Sequence, residues 1–357
     1  MKVKGNNVLK TLFASIALML VLVGCAENKP SDAGSSATSS PPAANTAASE
    51  TADAQYPITI KHAFGETVIK SKPERVATIQ WANQDVVLAL GVVPVGFSAA
   101  NYGVQDNSGL LPWTAKKLEE LGAKKPNIFQ DTDGLDFEAI SDAQPDVILA
   151  AYSGITKEDY ETLSKIAPVV AYPTQAWETS WRDQVLINSA GMGMKAEGEK
   201  LVKDTENLIK EKAAGHPELQ GKKAALIYIS PTDLSKIYVY TPEDPRGGFL
   251  NELGLSFSDS LQKLIKPDTD FSLELSAENI EALNDTDIFV TYGDEKLLDI
   301  LRADPLMSKL PAVKNGSFAM IGDGSVLSAA INPNPLSIPY TIDEYLKVIG
   351  EAAKKVQ

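Results

Sequence analysis

The side chains best suited to holding a ligand are aromatic. Trp81, Tyr102, Tyr152, Tyr172, Tyr240 and Tyr292 each lie at or just beyond a short apolar run of strand type. In open α/β sheets ligands bind beyond the carboxyl ends of the strands. Aromatic groups gathered there suit a large, partly aromatic ligand; the alternative is that they cover the rim of a core. Arginine is scarce, with Arg75, Arg182, Arg246 and Arg302 as the full set. Arg75 reads as a cation at a strand's surface end, and Arg302 closes a helix, where the dipole favours it. Arg182 opens the helical region after the first half, and Arg246 sits in the loop Pro245-Arg246-Gly247-Gly248. Both are candidates for planar recognition of anionic or strongly accepting oxygens.

Other chemistries lack their parts. There is no Gly-x-Ser-x-Gly, His-Glu-x-x-His or Gly-x-x-x-x-Gly-Lys pattern. The two histidines, His62 and His216, read as surface residues, too few for a multi-histidine metal centre. No catalytic residue and no protein-bound metal are expected, and no cofactor. With 33 Lys+Arg against 47 Asp+Glu, the formal charge of −14 makes the chain a poor general binder of nucleic acid or anionic lipid.

The sole cysteine, Cys25, has a special place. Lys2, Lys4 and Lys10 precede or open an apolar run, residues 11–24, too short to span a bilayer and right for a secretory signal. It ends in Leu22-Val23-Gly24-Cys25, which resembles the bacterial lipobox, where cleavage leaves a lipidated cysteine. Residues 1–24 are therefore expected to be a lipoprotein signal peptide and Cys25 a lipid anchor; their removal takes the net charge to −17. Residues 25–56 follow as a tether. From 26 onward this stretch holds no Val, Leu, Ile, Phe or Met, so it buries too little apolar surface to order itself. As a coil it reaches roughly 30 Å.

From Pro57 onward, short apolar runs alternate with helical patterns: strands at 75–79, 94–97, 146–150 and 168–172, with helices at 84–90, 136–143 and 157–166. The same grammar restarts after residue 220, with strands at 223–229, 237–240, 287–290 and 317–321. Helices there are expected at 247–253, 276–283, 295–302 and 342–356. This argues for parallel-rich sheets flanked by helices, as two Rossmann-like α/β lobes at 57–180 and 222–357. Residues 181–214 form a helical connector in which Gly191 and Gly193 precede a helix of about five turns. Pairs Glu199/Lys203 and Glu206/Lys210 are expected along its outer face. The lobes also repeat a motif: Asp136-Phe137-Glu138 before Ile140, and Ser276-Ala277-Glu278 before Ile280. Asp136 and Ser276 are good N-caps. Glu138 and Glu278 thus fall in equivalent first turns, where the alternative role of an acid is to answer the helix dipole.

The chain resembles the substrate-binding lipoproteins of ferric-siderophore ABC importers, a group that includes vitamin B12 binders. The matching stretches are Pro73-Glu74-Arg75-Val76-Ala77, Leu90–Gly96, Phe137–Ile140 with Pro145–Ile148, Gly248–Leu255 and Pro335–Pro339. The resemblance implies two α/β lobes joined by one long helix, with the ligand in the cleft between them. It also implies that one glutamate per lobe, here Glu138 and Glu278, engages arginines of the permease dimer. The implied function is capture of a ferric siderophore by a monomer lipid-anchored outside the cytoplasmic membrane, with no catalysis. Haem or cobalamin on the same fold is the alternative ligand, and an exported hydrolase is the alternative from another class.

Overall fold

The computed structural model describes residues 55–131, 133–266 and 269–357. The expected signal peptide, Cys25 and all but the last two residues of the tether lie outside the described residues. The chain first forms an antiparallel hairpin of β1 (Ile58–His62) and β2 (Gly65–Ile69). Strand alternation turns Ile60, His62, Thr67 and Ile69 to one buried face. His62 is therefore not the surface histidine expected: it is buried, with Nε2 3.0 Å from Thr67 Oγ1.

The first lobe is a five-stranded parallel sheet. Its strands are β3 (Val76–Thr78), β4 (Gly96–Ser98), β5 (Ile128–Phe129), β6 (Val147–Ala150) and β7 (Val169–Ala171). Their order is β5-β4-β3-β6-β7. These strands are covered on both faces, which is why they read as continuous apolar runs rather than alternating ones. The order reverses beside β3, so a crevice opens at its carboxyl end.

The second sheet contains β8 (Ala224–Ser230), β9 (Asp233–Tyr240), β10 (Ser272–Ser276), β11 (Ile288–Tyr292) and β12 (Phe318–Ile321), in the order β10-β9-β8-β11-β12. β8, β11 and β12 are parallel, whereas β9 runs antiparallel to both its neighbours, β8 and β10. Pro231 and Thr232 alone link β8 to β9, and so short a loop can join only antiparallel strands.

Between the sheets run helices Trp181–Gly191 and Lys195–Ala214. The second is 20 residues long, about 30 Å. The two pack tightly: a Cβ on Gly198 would lie 2.0 Å from Ser189 Oγ. Glu199 pairs with Lys195 at 3.8 Å rather than with Lys203, and Glu206 turns inward to Arg182. Trp181 and Val185 join Leu226, Leu253 and Leu346 in one apolar cluster, which also takes in Val86 of the first lobe.

Two helices differ from expectation. The terminal helix, Ser337–Ala353, starts five residues early because Pro339 falls in its first turn, where no amide bond is lost. The segment Ala277–Leu283 is a 3-10 helix rather than an α-helix, with Asn279 off helical geometry. No helix among the described residues is long and apolar enough to cross a membrane.

Candidate functional site

A cleft of about 430 Å³ lies where the carboxyl ends of the two sheets approach each other. Trp81 reaches it from the turn after β3, Tyr102 from the loop after β4, and Tyr152 from the residues after β6. Trp177 comes from the loop after β7, Tyr240 and Tyr292 end β9 and β11, and Phe271 precedes β10. Arg246, Asn101, Ser328, Ala329 and Asn332 complete the lining. Six of the eight sequence-expected ligand residues therefore meet in one cavity.

Arg182 is one of the other two, and it is seated elsewhere. Its guanidinium grips Glu252 through Nη1 at 2.6 Å and Nη2 at 3.0 Å, and its Nε donates to Glu206. Trp181 Nε1 donates to the same Glu252 at 3.1 Å. Arg182 thus fastens the connector to helix Pro245–Glu252. The sequence placed it beside a lobe junction, but it could not reveal that two acids would converge on it.

A buried asparagine holds the aromatic loops in place. Asn83 Nδ2 donates to Ile79 O and to Tyr152 O, both at 2.8 Å, and its Oδ1 accepts from Tyr152 N at 3.2 Å. Asn188 of the connector donates to that same Oδ1 at 2.9 Å. One side chain therefore locks the ends of β3 and β6 to each other and to the connector. Trp81 sits between Gln80 (φ 64) and Ala82 (φ 59), and Trp177 itself has φ 65. Non-glycine residues in this left-handed region cost free energy and gather where a site fixes them.

The walls touch across the cleft. Tyr102 Oη donates to Asp323 Oδ1 at 2.7 Å and accepts from Gly324 N at 3.0 Å. Asn332 Nδ2 donates to Tyr152 Oη at 3.0 Å. Gly103 (φ +77) allows this approach, since a Cβ there would lie 2.5 Å from Ala329 Cβ.

Charge inside the cleft is balanced. Arg246 Nε and Nη2 bond both oxygens of the fully buried Asp244, at 2.8 and 2.6 Å, and the guanidinium lies 4.2 Å over the Tyr240 ring. Burial works against the arginine's charge, but Asp244 outweighs it and raises the guanidinium's already high pKa. Burial, the largest cause, pushes the phenols of Tyr152 and Tyr292 well above their ordinary value. Glu178 is also raised, first by burial and then by the carboxylates of Glu243, Asp270 and Asp244.

Glu138 and Glu278 are both exposed, and each is the second residue of its helix, behind Asp136 and Ser276 as N-caps. Neither enters an ion pair among the described residues. His216 pairs locally with Glu218, at 3.1 Å.

Sequence reasoning passed over Trp177, Phe271, Ser328, Ala329 and Asn332. At the end of β7 the strand-end rule pointed to Tyr172, which is instead buried in the first lobe's core with its Oη donating to Ile155 O at 3.1 Å, and the cleft takes Trp177 from the loop beyond it. Asn332 carried no signal, because Gly322–Ser325 read as an isolated turn rather than as the lead into helix Val326–Ala330.

The family model for periplasmic binding proteins matches residues 76–323, spanning both sheets. The chain belongs to the periplasmic binding protein family. A crystal structure of Streptococcus pneumoniae PiaA in complex with ferrichrome is similar to this binding protein at 52% identity, with a TM-score of 0.81, covering 84% of this chain and 100% of that one. The ferric enterobactin-binding periplasmic protein FepB of Escherichia coli is 25% identical over 75% of this chain and 85% of its own length. The probable siderophore-binding lipoprotein YfiY of Bacillus subtilis is 24% identical over 74% of this chain and 80% of its own length.

Proposed function

We propose that this binding protein captures a ferric siderophore outside the cytoplasmic membrane and presents it to an ABC permease. The ligand class that fits best is an uncharged ferric tris-hydroxamate. The observation that carries this is the cleft: seven aromatic residues around one arginine whose charge Asp244 already cancels. Aromatic faces suit the apolar outside of a wrapped metal complex, and the guanidinium's remaining donors suit hydroxamate oxygens. A triply anionic tris-catecholate would find Arg246 as the one cation of the described lining, already paired with Asp244. The 52% identical PiaA, solved with ferrichrome, supports the same ligand class.

Haem is less well served. A phenolate is the form of tyrosine that binds iron, and burial works against it at Tyr152 and Tyr292. Binding without turnover is supported by the proteins the chain resembles, which are named as binding proteins.

In this reading Cys25 carries the lipid anchor, the tether gives the folded body reach, and the protein acts as a monomer. Glu138 and Glu278 dock onto the permease dimer, one lobe per subunit. Titration of tryptophan fluorescence tests the ligand. Ferrichrome should quench saturably through Trp81 and Trp177, ferric enterobactin should bind at least ~10-fold more weakly, and iron-free ferrichrome should bind poorly. Absence of saturable binding by any ferric chelate would reject the reading. The docking role is tested by Glu138→Lys with Glu278→Lys: uptake should be lost with ferrichrome affinity unchanged, and loss of affinity would refute it.

A further inference from the structure

Behind Trp81 lies a second, smaller chamber of about 70 Å³. It shares Trp81, Asn101 and Trp177 with the main cleft, so the two spaces meet along one wall. Its polar groups include the Trp81 indole nitrogen, a buried donor without a partner among the described residues, beside two acceptors. Gln84, only 4% exposed, lines the chamber with its Oε1 buried and without a hydrogen-bond partner. Asp131 lines it too, and accepts a short hydrogen bond from Ser98 Oγ. Ser98 in turn accepts from Gln80 N at 2.7 Å, so its own proton is committed to Asp131. Asp131 enters no ion pair among the described residues.

A buried acceptor without a donor is costly, and a carboxylate without a cation beside it adds to that cost. The group that would satisfy both is small, cationic and rich in N–H donors. A primary ammonium at the end of a short flexible arm fits, and it could enter past the shared wall while the metal-bearing body stays among the aromatics. Water can occupy such a chamber, but it neutralises no charge.

We propose that this chamber is a subsite for a protonated primary amine carried on an arm of the ferric siderophore, with Asp131 and Gln84 as its acceptors. The proposal rests on the siderophore reading above. It assigns the protein a preference that its aromatic cleft alone would not have, for amine-bearing over arm-less or capped hydroxamates.

The test uses three ferric complexes: ferrioxamine B, whose chain ends in a primary amine, its N-acetylated derivative, and ferrichrome, which has no amine. The wild-type protein should bind ferrioxamine B roughly 10- to 100-fold more tightly than the acetylated form, as expected for a charge-assisted contact. Asp131→Asn, which can still accept from Ser98, should reduce that ratio to near one. Gln84→Leu should reduce it in part. Ferrichrome affinity of each variant reports whether the main cleft is still formed. A wild-type ratio near one, or a ratio that survives Asp131→Asn in a protein still binding ferrichrome, overturns the subsite. If wild-type protein binds none of the three, the siderophore reading itself has failed and the subsite falls with it.

Discussion

A Cβ added at Gly154 would lie 2.4 Å from the Trp177 indole nitrogen, with two ring carbons within 2.7 Å. The indole cannot yield without leaving the edge-to-face contact it makes with Tyr152, at 5.2 Å between ring centres. Gly154→Ala should therefore displace Trp177 from the cleft wall and weaken ferrichrome binding roughly tenfold, read by calorimetry with the melting temperature as a control for folding. Asp244→Asn carries a different expectation. Asn can still cap the helix that begins at Pro245, but it leaves the Arg246 charge uncancelled. Affinity for a ferric tris-catecholate should then rise by roughly tenfold or more, while the melting temperature falls because a buried cation has lost its partner. An unchanged ratio of catecholate to hydroxamate affinity would show that Asp244 does not set the charge of the cleft. The strand-end rule made Trp81, Tyr102, Tyr152, Tyr240 and Tyr292 legible from the sequence alone. The Arg246–Asp244 pair was half legible: Arg246, expected in a loop, is the second residue of helix Pro245–Glu252 with Asp244 as its N-cap, and a sequence does not say which acid folds back on which base. The chamber behind Trp81 was not legible at all, because Gln84, Ser98 and Asp131 come from three separated segments that only packing brings together.

Among the elements, helix Asn83–Ala89 has the most to do, and Asp85 on it is the clearest case. This fully buried carboxylate accepts from Trp113 Nε1 at 2.8 Å and from Thr114 Oγ1 at 2.7 Å, both on helix Pro112–Glu120. Burial dominates and pushes its carboxyl up to about 6, despite those two donors and the nearby Asn334 side chain. Because the folded pKa lies above the unfolded one, the favourable contribution of the neutral acid is complete below about pH 4 and is lost as pH rises through about 6. The difference is on the order of 2–3 kcal/mol. The melting temperature of wild type relative to Asp85→Asn should therefore fall between pH 4 and pH 7, and a pH-independent difference would show that the carboxyl titrates normally. Elements were the most legible scale in the sequence, since period and punctuation are local properties. What escaped was non-local: the antiparallel sense of β9 between β8 and β10, the 3-10 geometry at Ala277–Leu283, and the inward face of the opening hairpin that buries His62.

For the molecule as a whole, the shared core decides how it comes apart. Val86 of the first lobe, Trp181 and Val185 of the connector, and Leu226, Leu253 and Leu346 of the second half belong to one apolar cluster. Leu111 and Trp113 similarly pack with Ala329 and Ala330 from the far side of the cleft. Two lobes joined only by a flexible linker would melt separately. These should melt together, in one calorimetric transition whose heat agrees with its van 't Hoff value; two resolved peaks would contradict that. The same packing gives the lobes little freedom to swing. The Tyr102 phenol, bonded to Asp323 and to Gly324 N, already reaches from one side of the cleft to the other. A cargo as large as a metal chelate has to pass while that latch is undone. Stopped-flow mixing should accordingly show an uptake rate that levels off as chelate concentration climbs, at a plateau set by the latch, and Tyr102→Phe should lift the plateau. In iron-poor surroundings, far below that plateau, such a latch would slow capture in proportion to the time it spends shut, while lengthening the stay of whatever has been caught.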